Sequence, residues 1–392
     1  MTLRSLHFLV LILTGGFLSS LPAQTVMMPV DSVRPGMHGI GVTVFAGTER
    51  TQFSVEILGV LQNSIGPRRH LILARLKGGP LADSGVIQGM SGSPVYIDDQ
   101  LVGAVSYSLG SFSKDTIAGI TPIGEMLRAD IAPSPDAVRS LPLLSLPLST
   151  DTLTALTSNE LPPSIPFEAN SRELEALGVS IPSFMGRLQP IPTPVTLSGF
   201  TRQAFDHLAP MFHSTGMVRV AGGALSRRSQ PSSSSPLEPG DPIGVGLIQG
   251  DLSMAGTGTV TYVDGNRVYA FGHPFYNAGP SKFPMTRAYV HTVLPSQALS
   301  SRITSIGETV GTIDQDRSTG ISGALGIGPP LVPVHVELKT LDRNRTKSFD
   351  FAVVADDLFT PFLSYNAVLN TLLSYSRQLG SATYSVEGQA RP

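Results

Sequence analysis

The sequence predicts a mainly β protein built as two half-barrels, with a few helices and an irregular Pro/Ser-rich connection between them. Three observations carry that prediction. A tight Gly-bounded turn, Gly89-Met90-Ser91-Gly92-Ser93-Pro94-Val95, opens a hairpin; a second strand–turn–strand run covers Gly256 to Phe275; and 40 Gly and 32 Pro stand among 392 residues of which only 14% are charged. A chain of this length has room for two domains, and its net charge of −2 lacks the basic excess that would point to nucleic acid. Zero Cys excludes disulfides, thiol catalysis and Cys-ligated zinc, and no HExxH or similar spacing appears, so neither a metal nor a cofactor is expected. Gly244 to Gly250 faintly resembles a dinucleotide loop, but its spacing is off and a Gly-rich strand is the better reading.

Residues 1–23 read as a signal peptide. Arg4 precedes the apolar run Leu6 to Leu13, and Leu21-Pro22-Ala23 offers a cleavage site before Gln24. The alternative is an uncleaved anchor, but Gly15-Gly16 and Ser19-Ser20 interrupt the run short of a bilayer span. The expectation is an exported protein, periplasmic or secreted, with no integral membrane span after signal removal.

Residues 24–130 form the first predicted half-barrel. Strands are expected at Ile40 to Phe45, Phe53 to Val60 and Leu71 to Leu76, and a hairpin pairs Val95-Tyr96-Ile97 with Leu101 to Ser106 around Asp98-Asp99. A helix over Thr121 to Ala129 closes the half. Residues 131–240 are the connection, rich in Pro and Ser, with helical patterns at Arg172 to Leu177 and Phe200 to Met211 and a flexible run from Ser226 to Pro239. In the second half, residues 241–392, strands are expected at Val260 to Val263, Val268 to Phe271, Val334 to Leu338 and Phe349 to Val354. Leu358 to Tyr375 has helical spacing, and Ala382 to Val386 could open another strand.

The Gly-bounded turn suits a serine nucleophile. Gly89 and Gly92 allow backbone N–H groups to converge on one point, and those of Gly89 and Ser91 are the natural donors for an oxyanion hole. The same Gly/Ser/Pro run is also ordinary turn chemistry, and it is the hairpin attached to it that raises the signal. The segment GMSGSPVYIDDQLVGAVSY resembles the nucleophile segment of the SpoIVB serine peptidases, which is similar in turn to the chymotrypsin-like GDSGGP turn. AGITPIGEML, Ala118 to Leu127, resembles the segment closing the SpoIVB catalytic domain.

Serine at neutral pH needs a base. Of eight histidines, His7 lies in the signal segment, His207 and His213 in or beside a predicted helix, and His38, His70, His291 and His335 in or beside apolar runs. His273 differs, because it stands just past a hairpin, in Arg267-Val268-Tyr269-Ala270-Phe271-Gly272-His273-Pro274. This run resembles the SpoIVB histidine segment, where a Gly-His pair follows the same strand–turn–strand pattern. The alternative is a Gly-His-Pro turn without chemistry. In the SpoIVB family the histidine precedes the serine, whereas here it follows by 182 residues; a circularly permuted pair of chymotrypsin-like half-barrels could still unite them, since triads are defined by geometry.

The third member has two candidates. The family's aspartate shortly before the serine turn is replaced by Lys77, and Asp83 falls closer to the turn than the pattern expects. Asp316 follows His273 by 43 residues, near the interval of about 45 in the chymotrypsin order, and could hold the imidazole; it also reads as a solvated loop acid or a partner of Arg317. SpoIVB proteins also carry a PDZ domain ahead of the peptidase, and none is identified in this sequence. The resemblance implies a Ser91/His273/Asp316 endopeptidase making limited cleavages in a protein or peptide substrate of the cell envelope. The rival reading is a non-catalytic envelope module that keeps the barrels to bind peptides or scaffold a complex.

Overall fold

The computed structural model describes residues 25–108, 115–128, 188–213, 216–222, 235–296, 299–340, 345–375, 385 and 387–389. The predicted signal segment, the helical pattern at 172–177, most of the Ser/Pro run at 226–239 and most of the last predicted strand lie outside them.

The first half contains β1 (His38–Val44), β2 (Arg50–Gly66), β3 (Arg69–Lys77), β4 (Pro94–Ile97), β5 (Gln100–Ser108) and β6 (Ile117–Pro122). Period-two alternation forms them: along β2, Phe53, Val55 and Ile57 are buried while Ser54 and Glu56 are not. Pairing runs β1-β2-β3-β6-β5-β4 and returns from β4 to β1 through Ile40↔Tyr96 and Gly41↔Val95, so six antiparallel strands close a barrel. Asp98 and Asp99 both take left-handed φ, 48° and 62°, as a two-residue primed turn requires. Val55, Ile57, Ile72, Val95, Val105 and Ile120 fill the core. The short helix α1 (Leu81–Ser84) precedes the serine turn, and α2 (Ile123–Arg128) follows β6. Thr121 and Pro122, expected in that helix, instead finish the strand, held in register by Ala104 and Gly103.

The connection is not all surface coil. β7 (Gln189–Pro190) joins the first sheet beside β5, and β8 (Thr193–Ser198) joins the second beside β11 (Ser253–Asp264), because Thr193, Val195 and Leu197 are all buried. α3 (Arg202–His213) matches the helical spacing there, and β9 (Met217–Ala221) runs parallel to β8.

The second half repeats the closure. β10 (Pro242–Gly250), β13 (Gly279–Leu294), β14 (Ser301–Arg317), β15 (Gly320–Leu325), β12 (Arg267–Ala270) and β11 pair in that order, and β10 pairs back onto β11. Each predicted half is thus itself a closed antiparallel ring of six strands. Gly244 to Gly250 lies within strand β10, and the β11–β12 turn lies at Gly265-Asn266, because Asp264 pairs with Arg267. β16 (Leu331–Thr340) and β17 (Arg345–Val354) extend the sheet beyond β10, and α4 (Phe359–Tyr375) sends Phe359, Leu363 and Ala367 into the core.

The two barrels pack directly on one another. Leu101, Ala104, Ile123 and Met126 of the first form one apolar cluster with Tyr262 and Tyr269 of the second. Backbone bonds cross as well: Gly47 with Val290, Gln88 with Ser300 and Arg302, and Ser91 with Thr259.

Candidate active site

The serine turn is built from its glycine. The Ser93 N–H donates to the Met90 carbonyl at 3.0 Å, closing a turn in which Gly92 has φ +96°. A Cβ on Gly92 would also lie 2.0 Å from the Thr259 carbonyl oxygen, so only glycine permits this contact with the second barrel. The Gly92 N–H donates to Val105, and the Thr259 N–H donates to the Ser91 carbonyl at 2.8 Å. Within the turn the N–H groups of Met90, Gly92 and Ser93 have acceptors; those of Gly89 and Ser91 have none among the described residues. These two are the groups the sequence singled out as oxyanion donors.

His273 arrives from the other barrel. β12 ends at Ala270, one residue short of the expected strand, because Phe271 turns into left-handed φ, 70°, followed by Gly272 at 71°. Such a conformation for a bulky residue costs on the order of 1–3 kcal/mol. It is held by burial of the Phe271 ring against Phe275 and by the Phe271 N–H bond to Thr259. The excursion seats Gly272 against Ala104 and Ser106 of β5, on either side of the Val105 carbonyl that anchors Gly92. The Ser91 and His273 segments therefore meet on the same strand at the barrel interface.

The electrostatics of His273 follow from that burial. It is 2% exposed, and burial lowers its pKa to about 4, so the imidazole is neutral at ordinary pH. Nδ1 lies 2.8 Å from the Pro274 carbonyl, which can only accept, so Nδ1 carries the proton and Nε2 presents a lone pair. That is the tautomer a general base requires. Nε2 and the Ser91 hydroxyl are both buried, both lack a hydrogen-bond partner among the described residues, and do not bond each other. Ser91 is 0% exposed, so the site is covered.

Asp316 does not orient the imidazole directly. It is fully buried, and its carboxylate accepts N–H groups from Phe275 at 2.8 Å, Tyr276 at 2.7 Å and Ala278 at 3.1 Å. Burial raises its pKa against the pull of these bonds. The direct triad role expected from spacing is corrected, since Nδ1 is committed to Pro274 and Asp316 to the loop that carries His273. The solvated-acid and Arg317 alternatives fail too, Arg317 bonding Gln315. Asp83 is exposed on α1.

Sequence reasoning missed Arg302, Thr43 and Ser93. Arg302 is 1% exposed and donates through Nη1 to the Gly89 carbonyl at 2.8 Å and to Thr259 Oγ1 at 3.1 Å, and through Nη2 to Thr43 Oγ1. Nothing in Ser301-Arg302-Ile303 marks the arginine as buried; only the register of β14 against the serine turn does.

Residues 21–124 match the family model described as SpoIVB peptidase S55, a span that covers the first barrel and Ser91 and stops before the histidine-bearing one. No curated protein and no solved structure matches the chain.

Proposed function

We propose that this chain is a SpoIVB-type serine peptidase, an exported endopeptidase that makes limited cleavages in cell-envelope proteins, with Ser91 as nucleophile and His273 as base. The family match at residues 21–124 supports the serine peptidase class. The observation that supports the assignment of roles is that the serine turn and the loop carrying His273 both pack on β5, the first with a hydroxyl and two N–H groups, the second with an Nε2, that have no partner among the described residues. Those are the groups acyl transfer needs: a nucleophile, a proton acceptor and oxyanion donors. In this reading His273 Nε2 takes the Ser91 proton as Oγ attacks the scissile carbonyl, the Gly89 and Ser91 N–H groups hold the oxyanion, and the imidazolium returns the proton to the leaving amine. The Pro274 carbonyl fixes the tautomer in the place a carboxylate usually takes. Export rests on the N-terminal apolar segment and the family's envelope role.

Complete burial of Ser91 favours a second reading, a non-catalytic module that keeps the barrels for peptide binding. The peptidase reading requires the cover over Ser91 to move when substrate binds. Fluorophosphonate labelling of residues 24–392, compared with Ser91→Ala and His273→Ala, separates the two. An adduct at Ser91 that is lost in both variants supports the peptidase, and an unlabelled folded protein supports the binding module.

A further inference from the structure

The buried arginine of the second barrel has no carboxylate partner among the described residues. Its neighbours are all neutral acceptors, and its Nε has none. A buried cation so placed costs stability, and an apolar residue of similar volume would commonly do as well or better. One of its side-chain contacts reaches the serine turn directly, at the Gly89 carbonyl, and another reaches it through Thr43.

Three successive carbonyls of the serine turn trace back to residue 302. The Arg302 backbone N–H donates to the Gln88 carbonyl at 3.1 Å, and Nη1 donates to the Gly89 carbonyl at 2.8 Å. The third link is a relay with one possible direction. Ser93 Oγ donates to the Met90 carbonyl at 2.5 Å, so it accepts from Thr43 Oγ1 at 2.8 Å, and Thr43 accepts in turn from Arg302 Nη2. In a planar trans peptide the N–H points opposite to the C=O. Fixing the Gln88 carbonyl therefore aims the Gly89 N–H, and fixing the Met90 carbonyl aims the Ser91 N–H.

We propose that Arg302 is the positioning residue of the oxyanion hole, set by the histidine-bearing barrel on the turn of the serine-bearing one. This rests on the peptidase reading and adds to it that the hole forms only when the barrels are docked. The rigid fork of the guanidinium suits the task, since one side chain must serve two acceptors in different directions. Lysine supplies a point charge without that geometry.

The test uses the protein from residue 24 onward and the rate of Ser91 phosphonylation by a fluorophosphonate, with folding checked by circular dichroism and thermal unfolding. Arg302→Met is expected to fold and to label about 100–1000-fold more slowly, the loss typical of one missing oxyanion donor. The acid limb of its pH profile stays where the wild type has it, because His273 is untouched. Arg302→Lys falls between the two. Thr43→Val, which cuts the relay to Met90 and leaves Nη2 without its acceptor, is expected to lose about tenfold, and it decides the matter if Arg302→Met does not fold. Wild-type rates in folded Arg302→Met, or in Thr43→Val, overturn the positioning role alone. Absence of labelling in the wild type overturns the peptidase reading, and this proposal with it.

Discussion

Asp316 and His273 are joined through the loop between them and not through a shared hydrogen bond. Both carboxylate oxygens are engaged, Oδ1 by Phe275 and Oδ2 by Tyr276 and Ala278, so the acid organises the chain just after the imidazole. His273 Nδ1 meanwhile donates to Pro274. Asp316→Asn keeps one accepting oxygen and turns an NH2 toward N–H donors. It should therefore destabilise the fold by about 1–3 kcal/mol and slow Ser91 labelling together, through a displaced imidazole. Thermal unfolding alongside labelling checks this; a large loss of labelling at unchanged stability would restore the direct triad contact.

The pKa of His273 sets a pH dependence whose sign can be worked out. Its value in the folded chain is lowered to about 4 by burial, against 6.5 in the unfolded chain. Between those values the unfolded state binds the extra proton, so stability is fully present above pH 6.5 and is lost as pH falls toward 4, by about 3 kcal/mol over the window. His335, raised by its bond to Asp350, acts with the opposite sign, but it is exposed and contributes little. Asp316, raised by burial, opposes His273 over part of the same range. The His273 share is therefore the stability difference between wild type and His273→Phe in denaturant unfolding from pH 4 to 7, which should shift in favour of the wild type as pH rises. The acid limb of Ser91 labelling should likewise lie well below 6.5.

The strands and the serine turn were legible because their causes are local. Alternation placed β1, β2 and β3, Asp98-Asp99 marked its hairpin, and Gly89 and Gly92 marked the turn that leaves two N–H groups free. A Gly-His pair that follows a hairpin is what sets His273 apart from the other histidines in the sequence. What could not be read depends on register between distant segments. Asp316 stands opposite Gly279 in the β13–β14 ladder, and that pairing turns its carboxylate toward the Phe275–Ala278 backbone. Arg302 reaches Gly89 only because Gln88 bridges to Ser301 between the barrels. Closure of the barrels likewise depends on β4 returning to β1 and on β12 pairing with β15, contacts between strands distant in the sequence.

Ser91 Oγ is buried without a partner among the described residues, which predicts a trade between stability and activity. An unsatisfied buried hydroxyl costs about 1–3 kcal/mol, and removing it leaves no second group stranded, since His273 Nε2 is already alone. Ser91→Ala should raise the unfolding free energy by about 1 kcal/mol while abolishing labelling. A melting temperature at or below that of the wild type would mean that the hydroxyl has a partner in solution.

Docking of the barrels should be far more sensitive to Gly92 than to Gly265, another left-handed glycine. At Gly265, φ is +57° and a Cβ would meet nothing within 4 Å, so Gly265→Ala carries only the backbone cost of about 1 kcal/mol. At Gly92, φ is +96°, and the same Cβ would lie 2.0 Å from the Thr259 carbonyl oxygen and 2.5 Å from the Phe271 nitrogen. Both are backbone atoms that cannot swing aside, so the turn and β11 must separate. That breaks the Thr259–Ser91 bond at 2.8 Å and the Thr261 hydroxyl bond to the Gly92 carbonyl at 2.7 Å. Gly92→Ala should lose several times the stability lost by Gly265→Ala, about 3–5 kcal/mol, and should raise amide hydrogen exchange along β5 and β11 where the barrels meet. Equal destabilisation by the two substitutions would mean that the close approach of Gly92 to Thr259 is not what holds the serine turn against the second barrel.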